Sequence, residues 1–290
     1  MLGVWFALLS AFLFALLFFA TRTALKRAPD PVAGAFVTDA VALLVSLVVA
    51  AIVGDDTGVS LARLWPFLVA GVVAPGLSQI LFVRAVQATG PARASVVMGA
   101  TPLISALVAV VVLGERLRLS LLVGTLLVMA GVAALGWERR RPAHFRAVGL
   151  AFAAVCVVFF ATRDNLVRWG SGRGHPISPL VAASTVLLAA TVTLLAYLTI
   201  ERRLQLTTGV RRALVPFIPA GLAIGFGYDA LTEALARARV TIVAPLNATQ
   251  ALWGILLAAV FLRQVEMIGR RTIAAAALIV TGAAIVGAIR

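Results

Sequence analysis

Long apolar runs, almost free of charge, alternate with short basic or turn-rich segments along the whole sequence. Ten such runs occur, and they cover residues 1–21, 31–54, 64–83, 94–114, 119–137, 147–162, 176–200, 213–228, 240–262 and 272–289. A helix that crosses a bilayer needs about 20 mostly apolar residues. The pattern therefore predicts an all-α integral membrane protein with ten transmembrane helices, spans 1 to 10 in chain order.

Two of the runs, 147–162 and 213–228, are shorter than a full span. Helices there must include flanking charged residues to cross, and ionisable groups at membrane depth are costly unless they have a partner or a function. Asp39, Asp229 and Glu233 are therefore candidate groups for coupling to a proton or another cation. Glu233 has a simpler alternative, an ion pair with Arg237 one helical turn later.

Three segments recur in the same order in the two parts of the chain. Phe-Phe-Ala-Thr-Arg occurs at 18–22 and at 159–163, and Pro-Phe-Leu-Val-Ala-Gly at 66–71 returns as Pro-Phe-Ile-Pro-Ala-Gly at 216–221. The third recurrence is of Glu115, Gly131 and Gly136, whose spacing is repeated by Glu266, Gly282 and Gly287. The chain is therefore predicted to consist of two homologous five-span halves, 1–137 and 147–290, joined by a basic linker, 138–146.

An odd number of spans in each half has a geometric consequence. The second half must enter the membrane from the opposite side, which produces an inverted repeat. Transporters use this design to expose a site near the membrane midplane first to one side and then to the other. The predicted architecture thus favours a secondary transporter that works by alternating access.

The repeated aromatic and basic segment lies at the predicted ends of spans 1 and 6, near opposite faces of the membrane. Phe19, Arg22, Phe160 and Arg163 are therefore candidate gate residues. The alternative is that the arginines only extend to lipid headgroups, although Asp164 offers Arg163 a partner within the protein. Glu115 and Glu266 lie just outside helices and are expected to form interfacial pairs with Arg116 and Arg270.

Proline and glycine interrupt four of the predicted spans. Non-helical backbone at membrane depth is tolerated inside the protein or along a wet cavity, so spans 3, 4, 8 and 9 are expected to line the solute cavity. The predicted helix breaks are at Pro75, Gly76, Pro102, Pro219 and Pro245. The alternative is that these residues serve close helix packing alone.

Polar and aromatic side chains on the same four spans are candidates for contact with solute. They are Gln79, Thr101, Tyr228, Asn247, Gln250 and Trp253. Asn247 and Gln250 are spaced to share one helix face, and Gln79 falls at the position of the first half that corresponds to Asp229. Asn247 and Gln250 have an alternative role as hydrogen-bonding contacts between helices.

Composition excludes several other classes of protein. With 62% hydrophobic and 12% charged residues, the chain has no room for a soluble domain. The net charge of +14 comes from basic residues scattered between apolar runs, which suits anionic lipid and not nucleic acid. Two distant histidines and one cysteine give no metal spacing, and we predict no cofactor, no metal and no enzymatic nucleophile.

The first half carries Pro102, then Leu113-Gly114-Glu115, then Gly124 and Gly131. This order, together with the duplicated five-span design, resembles the drug/metabolite transporter superfamily and its EamA-type members. The second half differs at Val265, where the pattern has glycine. The resemblance covers essentially the whole chain and implies the same cavity lining by spans 3, 4, 8 and 9.

The resemblance implies export of a small amphipathic metabolite, such as an amino acid, across a prokaryotic cytoplasmic (plasma) membrane. The alternatives are a proton-coupled exporter of drugs or organic cations and, in a different class, a non-transporting membrane helper or a membrane-embedded enzyme. The expected partners are a small-molecule solute, the lipid bilayer and a proton or cation for coupling. The distribution of positive charge favours external termini, whereas the resemblance implies cytoplasmic ones. The oligomeric state stays open.

Overall fold

The computed structural model describes residues 1–53, 61–89, 91–116, 118–136, 147–172, 177–201, 206–261 and 270–288. Within these ranges the regular structure is helical. The α-helices are α1 (Leu2–Leu25), α2 (Pro31–Val53), α3 (Trp65–Gly71), α4 (Ser78–Thr89), α5 (Pro91–Met98), α6 (Thr101–Leu113), α7 (Leu119–Gly136), α8 (Val148–Ser171), α9 (Pro179–Glu201), α10 (Leu206–Arg237), α11 (Val240–Asn247), α12 (Gln250–Phe261) and α13 (Arg270–Gly287). The linker 138–146, both histidines and Glu266 lie outside the described residues.

Described helices account for each of the ten predicted spans. Seven helical stretches are long and apolar enough to cross a membrane, and α7 and α13 contain shorter apolar helices. Spans 3, 4 and 9 each consist of two helices in sequence, α3–α4, α5–α6 and α11–α12. The prediction of an all-α protein with ten membrane helices is confirmed.

Spans 6 and 8 are longer than their apolar runs. Helix α8 continues through Arg163, Asp164 and Asn165 to Ser171, and α10 extends over 32 residues. Charged and amide side chains therefore do enter the membrane-spanning part of both helices, as the short runs predicted.

Span 3 is interrupted where the sequence predicted. Between α3 and α4 lies one wide π-helical segment, Val72–Leu77, in which Ala74 has the extended angles φ −150° and ψ 120°. The Ala74–Pro75 peptide bond is cis. Gly76 follows Pro75 in the same segment, so both predicted break residues of span 3 are at the interruption.

Spans 4 and 9 are interrupted at matching positions. The hydroxyl of Thr101 donates to the carbonyl of Met98 at 2.7 Å, and the hydroxyl of Thr249 donates to the carbonyl of Leu246 at 2.7 Å. The Thr101 hydroxyl thus satisfies the Met98 carbonyl, which has no N–H four residues later because Pro102 stands there. The Thr249 hydroxyl adds a second hydrogen bond to the Leu246 carbonyl, which also accepts the Thr249 N–H at 3.1 Å. Pro102 occupies the first turn of α6, where its missing N–H costs nothing, and Pro245 lies inside α11.

Span 8 differs from its prediction, because α10 passes through Pro216 and Pro219 without interruption. The glycines of this span serve close packing. A Cβ at Gly221 would lie 2.5 Å from Cβ of Val41, and one at Gly225 would lie 2.8 Å from Cβ of Val45. The missing side chains let α10 approach α2, and this packing along the whole helix keeps it continuous across its prolines.

The first helix of each half packs against helices of the other half, as expected of two related halves. Helix α1 packs against α10, α11 and α12 of the other half, and its counterpart α8 packs against α3, α4, α5 and α6. The self-equivalent pairs α2–α9 and α7–α13 also pack together. Because each half has five spans, the two-fold relation lies in the membrane plane and the repeat is inverted.

Candidate functional site

A buried arginine lies at the centre of the bundle. Arg163 is 6% exposed and donates from Nε and Nη2 to Oδ1 of Asp164, at 3.0 and 2.7 Å. Its Nη1 donates to the hydroxyl of Tyr228 at 3.0 Å, and Oδ2 of Asp164 accepts a hydrogen bond from Ser105 at 3.1 Å. We call these four residues the arginine cluster. It joins α6, α8 and α10.

Aromatic rings enclose the guanidinium. Cζ of Arg163 lies 4.8 Å from the ring centre of Phe160 and 5.6 Å from that of Tyr228, both within cation–π range. Phe14 of α1 packs edge-on against Tyr228 with ring centres 5.7 Å apart. A charge held between rings and a carboxylate is shielded from lipid, so the position is suited to a permanent cation at membrane depth.

The alternative in which Arg163 extends to headgroups is wrong, and its pairing with Asp164 is confirmed. The placement of Arg163 at a helix end is also wrong, because α8 continues well beyond it to Ser171. Arg22 is in the last turn of α1 and is exposed. Phe19 lines an apolar cleft of about 480 Å³ between α1 and α10. The two copies of the repeated segment therefore occupy different environments.

Asp39 and Gln79, singled out for different reasons, are hydrogen-bonded to each other. The Gln79 amide donates from Nε2 to both carboxylate oxygens of Asp39, at 3.1 and 3.2 Å. Asp39 is completely buried and lies within electrostatic range of the Tyr228 hydroxyl. The Asp39–Gln79 pair thus brings α2 and α4 beside the arginine cluster.

Asp229 belongs to a separate group of polar side chains. The hydroxyl of Ser46 donates to Oδ1 of Asp229 at 2.6 Å, and the hydroxyls of Ser46 and Ser184 are 3.0 Å apart. Oδ2 of Asp229 is enclosed and has no hydrogen-bond partner among the described residues. We call these three residues the Asp229 cluster, which joins α2, α9 and α10.

The buried charges of the two groups do not balance. Among the described residues, the buried aspartate, glutamate, lysine and arginine side chains in the spans are the carboxylates of Asp39, Asp164 and Asp229 and one guanidinium, that of Arg163. Asp164 neutralises Arg163, whereas Asp39 accepts hydrogen bonds from an amide and Asp229 from a hydroxyl. A carboxylate in a low-dielectric interior requires a cation or a proton. In the described spans, buried carboxylates therefore outnumber buried guanidinium groups by two.

The other predicted residues have more local contacts. Glu233 forms an ion pair with Arg237, which confirms the simpler alternative, and Arg237 also lies over the ring of Phe6. Asn247 is 9% exposed and donates to Ser10 of α1 at 3.5 Å, and Trp253 packs edge-on against Phe12 of α1. Gln250 is half-buried, and the hydroxyl of Thr101 is engaged at the break in span 4.

Glu115 does not pair with Arg116, contrary to the prediction. Its carboxylate is almost fully buried and contacts the beginning of α11 and the side chain of Arg168. The sequence gives Glu115 no visible partner in α11, because the two segments are far apart along the chain. The expected contact of Glu266 lies outside the described residues.

Sequence reasoning missed Ser46, Ser105, Asn165 and Ser184. Asn165 donates to the carbonyls of Ser105 and Ala161, at 3.1 and 2.8 Å, and so fastens α8 to α6. Serine is common in membrane helices and gives little signal alone. The shortness of run 147–162 was the available signal for Asn165, because it already required polar residues in span 6.

Two inverted five-span halves around a buried polar site are an architecture typical of membrane transporters. A model of the EamA-like transporter family matches residues 1–137 and 147–288. The chain therefore belongs to the EamA-like transporter family, whose members are membrane transporters and not enzymes. It is thus a multi-pass membrane protein whose partners are a small-molecule solute and the lipid bilayer.

A solved structure supports the fold. The chain is 22% identical to a protein described only as a crystal structure, with a TM-score of 0.79 over 98% of this chain and 96% of the other. At that identity the likeness concerns the fold alone. No curated protein matches the sequence.

Proposed function

We propose that the protein exports a small amphipathic zwitterion, such as an amino acid, across a prokaryotic cytoplasmic membrane. The observation that carries the proposal is that a buried carboxylate, that of Asp39, and a buried guanidinium, that of Arg163, both interact with Tyr228. Asp39 has an amide as its partner and attracts a solute ammonium group. Arg163, which donates to the Tyr228 hydroxyl, attracts the solute carboxylate.

Arg163 retains hydrogen-bonding capacity for a solute. A guanidinium carries five N–H donors, and three of them are used by Asp164 and Tyr228. The remaining two suit a carboxylate oxygen pair, which guanidinium groups bind in a bidentate manner. The rings of Phe14, Phe160 and Tyr228 supply an apolar surface for the rest of the solute.

Alternating access follows from the exchange of helix partners between the halves. Since α1 packs on spans 8 and 9 and α8 packs on spans 3 and 4, a rocking motion that loosens one set of contacts tightens the equivalent set. Asp39 and Gln79 belong to the first half, and the arginine cluster combines Ser105 of the first half with three residues of the second half. A solute bound between them is therefore exposed to each side in turn.

Export of an organic cation coupled to protons is the second candidate. The excess of buried carboxylates over guanidinium groups favours it. The two candidates differ in the role of Arg163, because a cationic solute has no carboxylate for this side chain to bind.

Transport in liposomes tests both candidates. We expect the purified protein to show saturable counterflow of radiolabelled aliphatic or aromatic L-amino acids, and Asp39→Asn and Arg163→Gln each to raise the apparent KM by about tenfold or more. Thr162→Val is the matched control, because this neighbour of Arg163 is bonded to its own helix at Val158. Saturable flux of tetraphenylphosphonium alone supports the second candidate. No saturable flux of either class contradicts both and favours a helper protein.

A further inference from the structure

The Asp229 cluster is a second buried polar site, separate from the residues assigned to the solute. Asp229 is 7% exposed, and its Oδ1 accepts a hydrogen bond from Ser46 at 2.6 Å. Its other oxygen is enclosed and has no partner within the described part of the chain. An unsatisfied, charged oxygen in such a position costs several kcal/mol on general grounds. Protonation of the carboxyl group removes this charge and most of the cost.

The charged groups around Asp229 are already engaged with other residues. On its own helix, Tyr228 is bonded to Arg163, and Glu233 is paired with Arg237. On α2, Asp39 is held by Gln79, and on α8, Arg163 is paired with Asp164. On α9 the only charged side chain is that of Glu201, at the far end of the helix, and on α1 it is that of Arg22, exposed in the last turn. Among the described residues, no cation is paired with Asp229.

The two serines provide a hydrogen-bond chain that can run in either direction. When Asp229 is ionised, Ser46 donates to it and Ser184 donates to Ser46. Either hydroxyl of the serine pair can be the donor. When Asp229 is protonated, it donates to Ser46, Ser46 donates to Ser184, and Ser184 donates to the carbonyl one turn earlier in α9, the usual partner of a helical serine. The hydrogen bond between Ser46 and Oδ1 is thereby kept in both protonation states, and protonation removes the negative charge that Oδ2 shares.

We propose that the Asp229 cluster is a proton-binding site, separate from the solute site, in which the Asp229 carboxylate takes up the proton and the reversible Ser46–Ser184 chain accepts its hydrogen bond. A proton fits better than a metal ion. Hard cations take about six or more oxygen ligands, whereas one carboxylate and two hydroxyls supply fewer. Protonation removes one of the two uncompensated negative charges of the bundle. The assignment of this site to coupling between proton binding and solute transport rests on the proposed function.

Infrared difference spectroscopy of the purified protein in lipid nanodiscs tests the site without any solute. A step in pH is expected to produce a carboxylic-acid C=O band that Asp229→Asn abolishes and Ser46→Ala shifts in frequency. Thr185→Val is the matched control and leaves the band unchanged, because the Thr185 hydroxyl is bonded within its own helix to Val181 at 2.7 Å. Asp39→Asn identifies any band that belongs to the other carboxylate.

Two results of this measurement overturn the proposal. One is an unchanged acid band in Asp229→Asn, and the other is loss of the band when sodium ions are added at constant pH, which would make the ligand a metal cation. Both are independent of which solute is carried, so they are distinguishable from failure of the proposed function. An Asp229→Glu variant, which keeps the carboxyl group, shows whether loss of the band reflects loss of folding.

Transport measurements then test the role in coupling. With the L-amino acid carried by the wild type, imposed pH gradients are expected to drive accumulation in wild-type and Thr185→Val liposomes and to drive none in Asp229→Asn. Counterflow by Asp229→Asn is expected to be independent of pH. A wild-type pH dependence in this variant contradicts the coupling role.

Discussion

The carboxylate of Glu115 caps the helix that begins at Val240, although the two residues belong to opposite halves of the protein. Oε1 accepts the backbone N–H of Val240 at 2.9 Å, and Oε2 accepts that of Thr241 at 3.0 Å. A negative charge at a helix N-terminus is favourable because it meets the positive end of the helix dipole. The end of span 4 thus holds the start of span 9.

Arg168 extends this contact to two further spans. Its Nε lies 3.9 Å from Oε1 of Glu115, and its Nη1 donates to the carbonyls of Leu235 and Ala236 at 2.9 and 3.0 Å. These carbonyls are in the last turn of α10, where a cation is favoured. Spans 4, 6, 8 and 9 are therefore joined at one end of the bundle, and opening there requires these contacts to break.

We expect Glu115→Ala to loosen this end of the bundle. Loss of a helix cap lowers the free energy of unfolding by about 1–2 kcal/mol, and α11 should separate more readily from α6. The measurement is the labelling rate of a cysteine introduced by Thr241→Cys in a Cys156→Ala background. Arg116→Ala, a change at the exposed neighbour of Glu115, is the control. Equal labelling in both variants would show that the cap does not restrain the opening.

The arginine cluster allows a second prediction, on stability. Arg163→Gln leaves Asp164 as a buried charge without its cation, which costs about 3–5 kcal/mol of unfolding free energy. The double variant Arg163→Gln with Asp164→Asn removes both charges and should recover a large part of that loss. Unfolding in nanodiscs measures the cycle. Additive effects of the two substitutions would mean that the ion pair carries no coupling energy.

The spans and the repeat could be predicted because both depend on patterns along the chain. Apolar run length marks each span, and the recurrence of Glu115, Gly131 and Gly136 marks the halves. The clusters could not be predicted in the same way, because the contacts of Ser46 and Ser184 with each other and with Asp229 depend on the packing of α2 against α9 and α10. The predicted end of span 6 is wrong because the prediction takes the first charged residue as the end of the helix. In the structure the Arg163–Asp164 ion pair allows both charges to lie inside the span.

Span 9 gives a prediction that separates binding from packing. Asn247 is nearly buried and contacts Ser10, so Asn247→Ala is expected to lower the melting temperature with little change in KM. Gln250 is half-buried at the beginning of α12, and Gln250→Ala is expected to raise the apparent KM for solute counterflow. A fall in stability without a change in KM for both variants would assign both amides to helix packing.

The repeated glycines give a prediction on the packing of α7 against α13. A Cβ at Gly131 would lie 2.7 Å from the carbonyl oxygen of Ala275, and one at Gly282 would lie 2.5 Å from that of Gly124. Backbone atoms cannot move aside easily, so Gly131→Ala and Gly282→Ala should each lower the melting temperature. Gly254→Ala is the control, because its added methyl group would meet open space. Equal melting temperatures in all three variants would contradict a close contact between α7 and α13.

The last prediction concerns the two aromatic residues of the repeated segment, which the structure places differently. Phe160 packs on Arg163 in the bundle core, whereas Phe19 lines the cleft between α1 and α10. Phe160→Ala removes one wall of the arginine cluster and is expected to shift the population of conformations toward the state open to one side of the membrane. Phe19→Ala is expected to shift it toward the state open to the opposite side. The substitution Val83→Cys introduces a cysteine one turn after Gln79. The rate at which this cysteine is labelled from each side of the membrane measures the shift in population. Opposite changes in labelling would support two gates. Equal changes, or none, would mean that the segment is a packing motif that both halves have kept.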